Sequence, residues 1–271
     1  MTFTRLLLGI VVWLPGILVL VFLAAPVLAV IPMSFSSSSV LELIPSDPGL
    51  TQYRRFFQSP EWVRALSMSF QVAFGTMVLA TSAGLAAALG LARMGQRART
   101  VVEALLILPR IVPTIVFAIA AYSIYLKIGL VGTVSGLVLA HSVLATPFVV
   151  IFVGSALRSV DPSLAEASRS LGGGPFVTFF RVVFPQIRLS VAGSALFAFN
   201  VSFDEVVVTL FISGIETKTL PVKVWDAIQY EISPILPAIS TLVVIATLLL
   251  LAPLLIATSR RTKNSTSKER P

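Results

Sequence analysis

Residues 157–189 read LRSVDPSLAEASRSLGGGPFVTFFRVVFPQIRL and stand between two long apolar blocks, residues 131–156 and 190–212. The stretch has too few consecutive apolar residues to cross a bilayer core, which takes roughly 20 per helix, and too many to be a disordered linker. Its pattern predicts two short helices. Asp161 suits an N-cap with Pro162 in the first helical position, Leu164, Ala167, Ser168 and Leu171 share one face, and Gly172-Gly173-Gly174 stops the helix. Pro175 opens the second, in which Phe176, Phe179, Phe180, Val183 and Phe184 recur at i, i+3, i+4, i+7 and i+8 while Arg181 and Arg188 point elsewhere. Pro185 is expected to end or bend it before the next apolar block.

Working outward, six segments are long and apolar enough to cross a membrane: about 6–31, 65–92, 104–126, 131–156, 190–212 and 235–258. The chain of 271 residues is 56% apolar and 12% charged, with a mean hydropathy of +0.95. That balance excludes a soluble globular domain, and the absence of cysteine excludes a disulfide-stapled one. The expected fold is therefore all-α, a polytopic membrane protein with six transmembrane helices forming one domain over 1–271, with a tail at 259–271. The run from Leu6 to Ile31 exceeds the apolar region of a signal peptide, about 7 to 15 residues, so it reads as a retained crossing.

The net charge of +8 has its explanation in orientation. With the N-terminus inside, thirteen of the twenty Lys and Arg lie on that side: Arg5, Arg93, Arg97, Arg99, Arg158, Arg169, Arg181, Arg188, Arg260, Arg261, Lys263, Lys268 and Arg270. Six lie outside (Arg54, Arg55, Arg64, Lys127, Lys218 and Lys223), and Arg110 falls within the third segment. The positive-inside rule then puts both termini and the 157–189 loop in the cytoplasm. Charge spread between apolar blocks offers no folded basic patch, so no nucleic-acid partner is expected.

Two outer connections have substance. Residues 33–64 carry Tyr53, Phe56, Phe57 and Trp62, and residues 213–234 carry Glu216, Lys218, Asp226 and Glu231. They suit either an external partner or, for Trp62 and Tyr53, anchoring at the lipid interface. In the second crossing Thr76, Ala80, Gly84, Ala88 and Ala92 form a small-residue stripe that lets another helix approach closely. Pro109, Pro113 and Pro147 predict kinks in the third and fourth crossings. No internal repeat is visible.

Asp204 and Glu205 fall inside the fifth crossing, where an ionised carboxylate costs roughly 2.5–3.5 kcal/mol or more. Such groups face a cavity or a partner. Successive helix positions differ by about 100°, so only one of the two needs to line a path, the other reading being a pair with Arg110. Arg110 can also snorkel to the interface. His141, the single histidine, has no Cys or His companion for a metal site and is read as a packing or hydrogen-bonding residue. No metal site and no catalytic set of nucleophile, base and orienter is expected.

The loop motif resembles that of the inner-membrane permease subunits of binding-protein-dependent ABC importers. Their signature, Glu-Ala-Ala, three residues, Gly, nine residues and Ile-x-Leu-Pro, matches Glu166-Ala167-Ser168, Gly172 and Val182-Val183-Phe184-Pro185, with Ser168 in place of the second Ala. Resemblance to the branch that includes the polyamine permeases lies in Ser202 to Val208, Thr219 to Trp225, Ser233-Pro234, Ser240 to Leu242 and His141 to Pro147. Those relatives often have an acid after a proline in the third crossing, where this chain has Pro113-Thr114.

This resemblance implies the ABC importer permease fold. It implies that Glu166, Ala167, Ser168, Gly172 and Pro185 belong to a loop that couples to a separate ATPase, and that Asp204, Glu205 and Thr114 are candidates for the translocation path. The implied partners are a second homologous permease, an ATPase subunit dimer that binds ATP and Mg, a periplasmic or extracytoplasmic substrate-binding protein, and membrane lipid. The chain itself has no G-x-x-x-x-G-K-[S/T] loop for nucleotide and is expected to hold no cofactor and to be no enzyme. A polyamine is the expected solute, with opines, aminophosphonates and ferric iron as alternatives. The competing class is an ion-coupled secondary transporter with Asp204 or Glu205 exchanging ions, which broken helices or a duplicated half would favour.

Overall fold

A computed structural model describes the backbone of residues 2–230 and 233–266 and the side chains of residues 13–230, 233–250 and 252. Glu231 and the side chains of Arg5, Arg260, Arg261, Lys263, Lys268 and Arg270 lie outside the described residues. The elements are α1 (Thr2–Ser34), α2 (Thr51–Gln58), α3 (Pro60–Leu91), α4 (Gln96–Ile111), α5 (Thr114–Ile128), α6 (Val134–Arg158), α7 (Pro162–Ser170) and α8 (Pro175–Thr178). After a π-turn at Phe179–Val183 come α9 (Phe184–Phe203), α10 (Val207–Ile212), a 3-10 turn at Ile215–Thr217, α11 (Leu220–Tyr230) and α12 (Leu236–Thr266). Among the described residues the only extended pairing is an isolated bridge between Ser36 and Pro48, so the fold is all-α as expected.

By length and apolarity, four helical stretches qualify as crossings: Trp13–Ser34, Pro60–Leu91, Val134–Arg158 and Pro175–Phe203. They become five if α4 and α5 are one crossing, and Leu236–Leu250 is a shorter apolar helix where the sixth was expected. The third crossing departs most from expectation. It is not one kinked helix over 104–126 but two, bent by 97° at Val112-Pro113. Val112 is extended (φ −67°, ψ 133°), the conformation forced on a residue before proline, and Pro113 has no N–H to continue the ladder. Pro109 and Pro147, which predicted kinks equally well, lie within the unbroken helices α4 and α6.

Pro185 does not end the second loop helix. α8, the π-turn and α9 run on as one 29-residue helix from Pro175 to Phe203. The wider π-turn just before Pro185 absorbs the missing N–H and the ring clash that would otherwise stop it. The second half of the 157–189 stretch, from Pro175 onward, is thus helix continuous with the expected fifth crossing. The expected fifth crossing, in turn, stops at Phe203 and resumes only at Val207.

The chain divides into two compact units, 1–63 with 226–246, and 64–225 with 247–271. In the first, Tyr53 donates its hydroxyl to Ser34 Oγ (2.7 Å), Gln52 Nε2 donates to the Ser38 carbonyl (2.7 Å), and Phe56 is buried edge-on to Phe57. Tyr53 and Phe56 thus pack the 33–64 connection itself. In the second, Val72, Ala80 and Ala88 of α3 pack into clusters with Leu137, Ala140, Leu144, Ala145, Val149 and Val153 of α6. Thr76, Ala80, Gly84 and Ala88 are buried as the stripe predicted, whereas Ala92 is exposed because α3 ends at Leu91. The reason for the small residues is geometric: a Cβ on Gly84 would lie 2.5 Å from Val149 Cβ.

Candidate functional site

The loop that carries Glu166 is built by local chemistry. Asp161 caps α7, its Oδ1 accepting the Ser163 N–H at 2.9 Å, and Pro162 takes the first helical position where no N–H is needed. Asp161 is fully exposed, and this backbone hydrogen bond holds its carboxyl below the ordinary aspartate range. At the other end Gly172 turns the chain at φ +81°, a conformation that costs glycine nothing and other residues strain. The Gly173 N–H returns to the Ser168 carbonyl (2.9 Å), closing the helix.

Ser168, the departure from the family's Ala, has a job here. Its hydroxyl lies 2.9 Å from Thr178 Oγ1 and so ties α7 to α8 across the Gly172 turn. Glu166 and Ala167 are exposed, and the Glu166 carboxylate makes no ion pair among the described residues. The same loop exposes apolar side chains: Leu164, Leu171 (90% exposed), Phe176 (77%), Val177 and Phe180. The aromatic face read at 176–184 is therefore divided, with Phe176 and Phe180 outward and Phe179, Val183 and Phe184 half-buried. Pro185 sits apart from this platform, at the start of α9.

At the α9–α10 break the two acids separate. Asp204 ends α9 as its C-cap, its N–H donating to the Asn200 carbonyl (3.1 Å). Its side chain is exposed and has no bonding partner among the described residues. Glu205 is half-buried, and its Oε1 accepts the Val208 N–H at 3.0 Å, satisfying one of the free amides at the start of α10. Neither acid forms an ion pair with Arg110, whose guanidinium lies over the Phe148 ring at 4.4 Å from its centroid. An unpartnered carboxylate at a helix break in a membrane protein suits polar surroundings rather than lipid.

A cavity of about 780 Å³ between α6 and α9 is walled mainly by apolar groups, among them Phe152, Ala156, Leu196 and Phe197, with Ser155, Ser159, Ser190, Ser194 and Asn200 as polar members. Asn200 lies four residues before Asp204 and hence on the same helix face. Sequence reasoning did not single out Ser190, Ser194 or Asn200, polar residues of an otherwise apolar block. Thr114, at the start of α5, is half-buried and is joined to neither Asp204 nor Glu205 by a hydrogen bond among the described residues. His141 is 1% exposed and bonds across helices, as read: Nδ1 is 2.8 Å from Ser202 Oγ and Nε2 is 3.0 Å from Thr209 Oγ1.

The family described as binding-protein-dependent transport system inner membrane component matches residues 80–261. The spermidine/putrescine transport system permease protein PotC of Haemophilus influenzae is 27% identical over 198 residues, 73% of this chain and 77% of that one. Two crystal structures share the fold. A bacterial ABC transporter involved in the import of the acidic polysaccharide alginate superposes with a TM-score of 0.72 at 15% identity, covering 96% of both chains. A bacterial alginate ABC transporter in complex with alginate pentasaccharide-bound periplasmic protein does so with a TM-score of 0.69 at 16% identity, again covering 96% of both.

Proposed function

Since this chain belongs to the binding-protein-dependent inner membrane components, the permease subunits of ABC importers, and sits in the spermidine/putrescine branch, we propose that it forms half of the translocation path for a small organic cation, a polyamine above all. It is a multi-pass membrane protein and a transport component, not an enzyme. In this reading it sits in the bacterial inner membrane with both termini cytoplasmic. A second homologous permease supplies the other half of the path, and an extracytoplasmic binding protein delivers the solute. ATP and Mg bind to a separate ATPase dimer.

The observation that carries the coupling role is the unpaired, exposed Glu166 on a helix fixed at both ends, in a loop that also turns apolar side chains outward. A monomeric soluble face would bury Leu171 and Phe176, so this platform suits a partner protein. A short rigid helix transmits displacement without stretching, which is what a nucleotide-driven partner needs in order to rock the crossings. The observation that favours a cation is the α9 terminus, where the free carboxylate of Asp204 adds to the partial negative charge of the last carbonyls of the helix. Thr114 in place of an acid leaves Asp204 as the path's candidate anion; opines, aminophosphonates and ferric iron remain the alternative solutes.

The test is uptake of labelled putrescine and spermidine into vesicles holding the reconstituted complex with its binding protein, for wild type and Asp204→Asn. One charge contact about 4 Å from an ammonium is worth about 1 kcal/mol even in water, so KM should rise roughly fivefold or more in the variant. Wild-type transport by Asp204→Asn would remove that residue from the path, and complete failure of both polyamines in an assembled, ATP-hydrolysing complex would remove polyamines as the solute.

A further inference from the structure

His141 stands in the first third of α6 with both ring nitrogens engaged on opposite sides of the α9–α10 break. Ser202, the partner of Nδ1, lies two residues before Asp204 on α9, and Thr209, the partner of Nε2, is the third residue of α10. The same two hydroxyls reach further: Thr209 Oγ1 donates to the Glu205 carbonyl at 3.0 Å, and Ser202 Oγ donates to Thr76 Oγ1 of α3 at 3.2 Å. One buried ring thus connects α3, α6, the end of α9 and the start of α10.

We propose that His141 is a positioning residue that holds the two sides of the break in register and so sets where Asp204 stands. The backbone bonds at the break stay on their own sides, Glu205 N–H to the Ser202 carbonyl (3.4 Å) behind it and Leu210 N–H to the Val206 carbonyl (2.8 Å) ahead of it, while the Glu205 side chain takes the Val208 N–H. α10 also packs on α6 through Val208 and Ile212, and the imidazole adds a polar tie from α6 to both α9 and α10. In a site shielded from water an unmade bond costs more than it would at a surface, so the network acts as a unit. That the register matters for a solute rests on the transport reading above; that the ring sets it does not.

The test is hydrogen exchange of the α10 amides, residues 207–212, in the intact reconstituted complex, in a cycle of Ser202→Ala, Thr209→Val and the double variant. Ser202 has no hydrogen bond to α10 among the described residues, so the ring is its shortest polar route to that segment. Ser202→Ala should speed α10 exchange by about twofold to twelvefold, the equivalent of one net hydrogen bond. Thr209→Val should do so by at least as much, and the double variant should add nothing beyond it. Thr209→Ser, which keeps the hydroxyl, should exchange like wild type and restore uptake KM. A silent Ser202→Ala, additive single effects, or a Thr209→Ser as loose as Thr209→Val would overturn the proposal. Coupled exchange together with normal uptake by Asp204→Asn would uphold the tie and sink the solute path instead.

Discussion

Replacing Gly84 by Ala should destabilise the protein although alanine is the better helix former. A Cβ at position 84 would lie 2.5 Å from Val149 Cβ, 2.6 Å from its Cγ1 and 3.3 Å from the Thr146 carbonyl oxygen. Carbon atoms rest at about 3.5–4.0 Å, so the overlap is about 1 Å. Val149 is fully buried, and the offending Cβ is fixed to the α6 backbone, so no rotamer change relieves it. The helices must part, and overpacking of this kind costs about 1–3 kcal/mol. The gain in helix propensity returns about 1 kcal/mol, leaving a net loss of about 2 kcal/mol at the severe end. For a chain of this size that corresponds to a fall of roughly 4–8 °C in melting temperature. The assay is thermal unfolding of the complex in one detergent against Gly90→Ala, a position in the same helix where an added Cβ meets nothing within 4 Å. Equal stability of the two variants would refute the close α3–α6 approach as the reason for the stripe.

Ser168→Ala should loosen the α7–α8 tie by about 0.5–1.5 kcal/mol, seen as faster amide exchange over 162–178 with transport retained. Gly172→Ala, forced to φ +81°, should carry about 1 kcal/mol or more of strain and impair ATP-driven uptake, whereas Gly174→Ala, in open space at φ −66°, should not. The Asp161 cap should be insensitive to acidification from pH 7 to 5. With its pKa depressed by the Ser163 N–H, its contribution is complete above the ordinary aspartate value and is lost only as pH falls through the lower, folded-state value. Exchange at Ser163 already faster at pH 5, after correction for intrinsic rates, would contradict that assignment.

The loop was legible because its signals are local: Asp161, Pro162 and Gly172 each act through their own backbone, and the structure uses all three as read. The stripe on α3 was legible for a similar reason, periodicity on a single helix. Proline was not. Pro109, Pro113, Pro147 and Pro185 give the same signal, yet only Pro113 breaks its helix, while a π-turn accommodates Pro185. The division of labour between Asp204 and Glu205 was equally hidden, because it depends on α9 stopping at Phe203, and the partners of His141 stand 61 and 68 residues away in sequence. Broken crossings were expected to favour an ion-coupled transporter. Two breaks are present, at 112–113 and 204–206, so they do not discriminate, and it is the family match over 80–261 that separates the classes.

The measurement that bears most directly on the account is solute uptake into vesicles containing the full complex and its binding protein, with ATP and an ion gradient supplied separately, for wild type and Glu166→Ala. The account predicts uptake that requires ATP, persists without the gradient and collapses in Glu166→Ala while the complex stays assembled. Gradient-driven uptake without ATP, or wild-type rates from Glu166→Ala, would contradict it.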